Sequence, residues 1–202
     1  MATAAERSPA DSEVPVIDLS QAPGEGEAWG KPKWVVYLWS ATELLVVTNP
    51  WQISSGLRAK ALRAFGAKIG QGVIIRPRTR VRFPWNLKIG DRSWIGDGVW
   101  IHNRDTVIIG HDAVVSQETF ITTGSHAHRK DMGLITQPVT IDDGAWVTSR
   151  CVITGGVTIG RSALVQPLTR VAENVPANAI YGHAAPQVQG ERFPQDKGGN
   201  RR

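Results

Sequence analysis

Two histidines stand close together in Thr122-Thr-Gly-Ser-His126-Ala-His128. Imidazole exchanges protons near neutral pH and is also a common metal ligand. Either chemistry needs polar neighbours, and the stretch His102-Asn103-Arg104-Asp105 offers some upstream. Cys151 is the single cysteine, so the chain holds neither an internal disulfide framework nor a Cys-rich zinc site. What these groups can do depends on what brings them together.

A strict period supplies the answer. Ile or Val falls at 69, 75, 81, then 89, 95, 101, then 109, 115, 121, then 141, 147, 153, 159, 165 and 171. Glycine often follows it, and the fifth residue of each six is usually small, a column that takes in Thr119, Ser125, Cys151, Thr169 and Val175. A period of six does not fit a helical stripe. It fits short strands joined by tight corners where Gly or Asp adopts positive φ, three strands to a triangular coil. The aliphatic residue then points inward and stacks on its counterpart in the next coil. On this reading Cys151 is core. The count slips by two residues after 86, by two after 106 and by fourteen after 126. Each slip follows a group of three sixes, so all three insertions share one corner. A long loop, 127–140, leaves from it. This register keeps Ser125 and His126 on the coil. It places Thr106 and Asn86 beneath His126, Asp105 beneath Ser125, and Asn103 beneath Thr123. Trp94, Val114, Trp146 and Leu164 form one outward apolar column, and Trp100, Phe120 and Val152 another. An N-terminal helix is expected to cover one and a second subunit the other.

The flanks are simpler. Residues 1–33 read as a disordered tail, 34–66 as a helical segment with helices near 34–48 and 55–65, 67–182 as the repeat domain, and 183–202 as a loose tail. The apolar run 34–47 contains Glu43 and is too short to span a bilayer. Net charge is +5, but the basic residues are scattered without aromatic interleaving. That argues for anionic ligands and against nucleic acid. No signal peptide is visible, so a cytoplasmic protein is expected, with the 34–48 helix able to touch the inner face of the membrane.

The repeats Ile69-GQGVI, Ile89-GDRSW, Ile95-GDGVW, Ile109-GHDAV and Ile159-GRSAL resemble the hexapeptide-repeat acyltransferases. The segments W94-IGDGVWIHNRD, T122-TGSH, L134-ITQPVTIDDGAW and V175-PANAIYG are similar to the colanic acid (WcaF-type) O-acetyltransferases, and more distantly to the galactoside and maltose O-acetyltransferases. The resemblance spans about residues 50–185. It implies an all-β fold, a left-handed parallel β-helix, assembled as a homotrimer with active sites between subunits. It also implies acetyl-CoA as co-substrate, no metal, and a sugar acceptor that is free, nucleotide-linked or lipid-linked, belonging to an exopolysaccharide or its precursor.

The same resemblance makes His126 the general base, drawing a proton from the sugar hydroxyl and later protonating the departing thiolate. His128 is left as a loop residue. Asp105 would orient His126 or bind the acceptor, with Asn103 and Ser125 as further acceptor contacts. The family pattern places the coenzyme at the corner after Trp146 and along the last coils, where Gln166 and Pro167 would line its groove; by register Ser149 and Arg150 would meet the pantetheine arm and Arg170 the phosphates. Relatives usually carry small residues where this chain has Q166-PLT169, a glycine in place of Thr148, and G-N-P-A-K/R in place of G182-HAAPQ187. Those changes narrow the coenzyme groove and remove a basic group. Two other readings stay open. One is a non-catalytic β-helix homologue acting as a scaffold or sugar-binding trimer. The other is a zinc enzyme similar to the γ-class carbonic anhydrases, drawing ligands from His102, His126 and His128.

Overall fold

A computed structural model describes residues 14–24 and 29–182. Its centre is a parallel β-helix with three faces. The first face stacks Ile69, Ile89, Ile109, Ile141 and Ile159; the second stacks Ile75, Ile95, Val115, Val147, Val165 and Tyr181; the third stacks Val81, Ile101, Ile121, Ile153 and Val171. Apart from Tyr181, these are the rows read from the period. Nearly all of them are buried, and Thr79, Ser93, Thr119, Cys151 and Thr169 fill the small positions between them. The Cys151 thiol is buried and donates to the Gln166 carbonyl at 3.2 Å, as a core residue should. At the far end the count differs. Val175 bridges Ile159, so it takes the aliphatic row and not the small column. The corner before it is two residues shorter than six.

Positive φ does fall at the corners, on Gly72, Gly98, Gly144 and Asp112 as expected, and equally on larger residues. The corners turn through Arg78, Gly98, Glu118, Arg150 and Leu168 on one edge, and through Gly72, Arg92, Asp112, Gly144, Ser162 and Asn178 on another. The glycine after each aliphatic residue has a steric role instead. A Cβ on Gly90 would lie 2.5 Å from the His111 nitrogen and 2.6 Å from the Gly110 carbonyl carbon. Coils approach there more closely than any side chain permits.

An end coil leaves strand edges unpaired, and the helical segment closes them. Helix α1 (Lys33–Thr42) continues as a π-turn, Glu43–Val47, and α2 (Ser55–Ala64) follows. On the third face, Trp39 Nε1 donates to the Val81 carbonyl at 2.8 Å and a Glu43 carboxylate oxygen accepts from the Val81 N–H at 2.6 Å. On the second, Ser55 Oγ accepts from the Ile75 N–H while the buried Arg58 guanidinium donates to the carbonyls of Ile75 and Val47. On the first, Arg63 donates to the carbonyls of Ile69 and Gly70. The helices therefore plug the end of the coil and cover neither outward column. Trp94 and Trp100 remain exposed.

Burial raises the Glu43 carboxyl above its ordinary value of 4.5, outweighing the Val81 N–H and the nearby Arg82 and Arg80. The native state then holds this proton more tightly than the unfolded chain. Its contribution to stability is greatest below about 4.5 and declines as pH rises through the raised value. Glu43→Gln keeps an acceptor for Val81 without a buried charge. Thermal melts should show the variant matching the parent at pH 4 and exceeding it by about 2–4 °C at pH 7. A lower melting temperature at pH 7 would mean that the carboxylate's attraction to the arginines outweighs its burial.

Candidate active site

The break in the repeat is a β-hairpin. Gly124–His126 pairs antiparallel with Leu134–Thr136, setting Ser125 opposite Ile135 and His126 opposite Leu134. Coil geometry ends at Thr123, whose carbonyl accepts from the Gln137 N–H at 2.9 Å and closes the hairpin's base. Ser125 and His126 thus stand on the excursion and not on the coil. The partners expected beneath them change accordingly. Val107 pairs with Val139, whose N–H donates to the Thr106 carbonyl at 3.0 Å, so the coil above Thr106 resumes after the hairpin and not at His126. The backbone of 124–126 finds its hydrogen bonds in 134–136, and a local pairing of that kind leaves no trace in a six-residue period. The sequence signal was the Asp131-Met-Gly133 turn between two short β-compatible runs.

The hairpin tip fixes the imidazole. His126 Nδ1 lies 2.8 Å from the Met132 carbonyl oxygen. A carbonyl only accepts, so Nδ1 carries the hydrogen, and the lone pair of the neutral ring resides on Nε2. Met132 presents that carbonyl from a left-handed conformation, φ 59°. Its own N–H bonds Ala127, and the Asp131 carboxylate accepts from the Gly133 N–H. His128 is exposed at the tip. It lines an open cleft of about 530 Å³ with Arg129, Lys130 and Asp131 and with Pro15–Asp18 and Gln21 of the N-terminal segment. That segment holds a 3-10 turn, Leu19–Gln21, capped by Asp18.

Asn103 does lie beneath Thr123, but it is fully buried. Its Oδ1 accepts from the Phe83 N–H at 3.0 Å and its Nδ2 donates to the Phe83 carbonyl at 2.7 Å. This amide clamps the coil below and offers no surface to an acceptor, which corrects the sugar-contact expectation. Asp105 is half-buried at the hairpin's base, donating its N–H to Thr123 Oγ1 and accepting the Thr106 N–H on Oδ1. The Arg104 stem runs against Gly124. Ser125 is exposed.

A second cleft, about 400 Å³, opens at the corner between the second and third faces, lined by Gln117, Glu118, Ser149, Arg150, Pro167 and Leu168. Three of the expected coenzyme residues, Ser149, Arg150 and Pro167, meet here. Gln117 and Glu118 were not foreseen, although the register places them one coil below. Gln117 Oε1 accepts from Ser149 Oγ, and the Arg150 guanidinium pairs with Glu118 at 2.6 Å. Gln166 lies just outside, its side chain packed over Gly182 where any Cβ would clash. Trp146 and Arg170 face outward on the two adjoining faces. The Trp146 indole N–H donates to Ser116. The tail from His183 lies outside the described residues.

The third corner is a ladder of ion pairs. Asp112, bonded first by Arg92 and then by His111, is held at about 2; Asp143 is likewise lowered, chiefly by the His111 backbone N–H. Among the described residues no three His, Cys, Asp or Glu side chains gather to hold a metal. His102 lies on the third face with Nδ1 3.5 Å from Thr122 Oγ1.

Against known proteins, the chain is 36% identical over 146 residues to the colanic acid biosynthesis acetyltransferase WcaF of Escherichia coli (strain K12), covering 72% of this chain and 80% of that one. The chain belongs to the WcaF-type family of acetyltransferases. A galactoside O-acetyltransferase of the same organism is 26% identical over 144 residues, 69% of this chain and 71% of its own. The fold matches a hexapeptide-repeat acetyltransferase of Vibrio cholerae O1 biovar eltor solved with acetyl-coenzyme A (TM-score 0.68, 22% identity, 75% of this chain and 83% of that one). No family model matches the chain. Within the WcaF-type frame, the hairpin and the Ser149 cleft are two polar sites on different corners of one coil stack.

Proposed function

We propose that this acetyltransferase moves acetyl from acetyl-CoA to a hydroxyl of a sugar in an exopolysaccharide or its precursor, with His126 as general base. The observation that carries the reading is the Nδ1–H bond to Met132, which makes Nε2 the basic atom. Nε2 takes the hydroxyl proton as the sugar oxygen attacks the thioester carbonyl. Backbone N–H groups hold the oxyanion of the tetrahedral species. The C–S bond then breaks, and the imidazolium returns the proton to the coenzyme A thiolate. No acyl-enzyme is required, in keeping with the core position of Cys151.

Within one chain, the third face separates the hairpin from the Ser149 cleft. A homotrimer removes the separation if the hairpin of one subunit reaches the cleft of its neighbour, and the exposed Trp94 and Trp100 columns are suited to that contact. Action at the cytoplasmic side is part of the proposal; among the described residues no helix is long and apolar enough to cross a membrane. Ser149, Arg150 and Pro167 are the proposed coenzyme contacts, with Trp146, Gln166 and Arg170 around them. Asp105 and Ser125 are the proposed acceptor contacts.

The test is release of coenzyme A from acetyl-CoA with panels of nucleotide-linked sugars and oligosaccharides, alongside calorimetry of coenzyme A. Acceptor-dependent release is expected. A specific observation favours the second reading, a non-catalytic homologue: Glu118 pairs with Arg150, the cation of the cleft whose wall Pro167 helps to form. Absence of any coenzyme A isotherm would select it.

A further inference from the structure

The helical cap is apolar on both sides. Its inner side, Val36, Trp39 and Val47, is buried on the first coil. Its outer side carries Trp34, Tyr37, Leu38, Ala41, Leu44 and Leu45, spaced as one helical stripe without a charge. Trp34 is 67% exposed and Leu45 66%. The loop that follows adds Trp51 and Ile53, each 89% exposed. A helix of this pattern is usually enclosed by protein or by lipid.

Charge chooses between the two. Residues 29–90 contain eleven lysines and arginines against one acidic residue, Glu43, which faces inward onto Val81. This stretch carries formal +10 and the remainder of the chain −5, for the net +5. Lys31 and Lys33 precede Trp34 in the chain and are exposed, as is Lys60 on α2. A groove of about 420 Å³ joins Lys31 to Trp34, Leu38 and Phe65. Aromatic and aliphatic side chains together with cations suit the boundary between headgroups and acyl chains. A second copy of this end would set lysines against lysines.

We infer that the outer side of α1, its π-turn and the Trp51–Ile53 loop dock on an anionic lipid bilayer. The cap lies in the interface and does not cross it. The hairpin leaves from the third coil, so it stands on the order of 10 Å beyond the first, at about 4.8 Å per coil. If the acceptor is lipid-linked, which rests on the function proposed above, docking brings its sugar to His126.

The experiment is flotation of the full chain with vesicles of phosphatidylcholine alone or with 40% phosphatidylglycerol, without acetyl-CoA or acceptor, so its outcome is independent of any transfer assay. Anionic vesicles should bind at least about tenfold more protein than neutral ones, and high salt should reverse most of this. Trp34→Ser/Leu38→Ser/Leu45→Ser, and separately Trp51→Ser/Ile53→Ser, should each lower binding about tenfold while light scattering reports an unchanged oligomer. Lys31→Gln/Lys33→Gln/Lys60→Gln should lower it for anionic vesicles. No binding by the parent protein, or a change of oligomeric mass in the serine variants, would overturn the inference and assign this surface to another protein chain.

Discussion

His126→Ala is expected to lower kcat for acetyl transfer about 10²–10⁴-fold while the KM for acetyl-CoA changes little. The sugar hydroxyl is a weak acid, and without a base its oxygen must attack while still holding its proton. Removing the imidazole takes away proton transfer in both directions and no contact proposed for the coenzyme. His126→Asn separates the base from its support. The asparagine amide can still donate to the Met132 carbonyl and hold the hairpin tip, yet it cannot accept a proton. Both variants should be equally slow. An asparagine variant with near-parental kcat would show that His126 serves only to shape the hairpin, and unchanged kcat in both would remove it from the chemistry.

Asn103→Ala is expected to cost about 2–4 kcal/mol of unfolding free energy, measured by denaturant titration, because it strands the buried N–H and C=O of Phe83. Asn103→Asp should be as harmful. Its carboxylate can accept from the N–H but faces the Phe83 carbonyl with no hydrogen to give. Acceptor KM, measured where the variants remain folded, should stay within about twofold of the parent. Parental stability combined with a raised acceptor KM would restore Asn103 as a sugar contact. The two outcomes do not overlap, since a fully buried amide cannot touch a ligand without first leaving Phe83.

The two residues show where sequence reasoning stopped. Register put Asn103 under Thr123 correctly, because each strand pairs with the next over many coils and a one-residue slip would expose every inward aliphatic side chain. Register says which residue lies above which. It does not say which way an amide turns, and the Phe83 peptide one coil down decided that. His126 was found by its motif, but its support was misplaced. The hairpin's antiparallel pairing is local and lies outside the period that located everything around it. The helices near 34–48 and 55–65 were visible from their patterns, whereas their place was not. Val81, Ile75 and Ile69 had unpaired backbone groups at the coil's end, and satisfying those outweighed covering an outward column.

By itself the sequence determined the β-helix, the three inward rows, the corner that carries insertions, the core position of Cys151 and the Thr-Gly-Ser-His motif. These follow from a repeat, in which one register buries every row at once. Only the tertiary structure decided that His126 stands on a hairpin with Nδ1 bound to Met132, that Ser149, Arg150 and Pro167 share a cleft with Gln117 and Glu118, and that α1 and α2 plug the first coil. Those arrangements come from single hydrogen bonds and close contacts between residues far apart in the chain, which no period encodes.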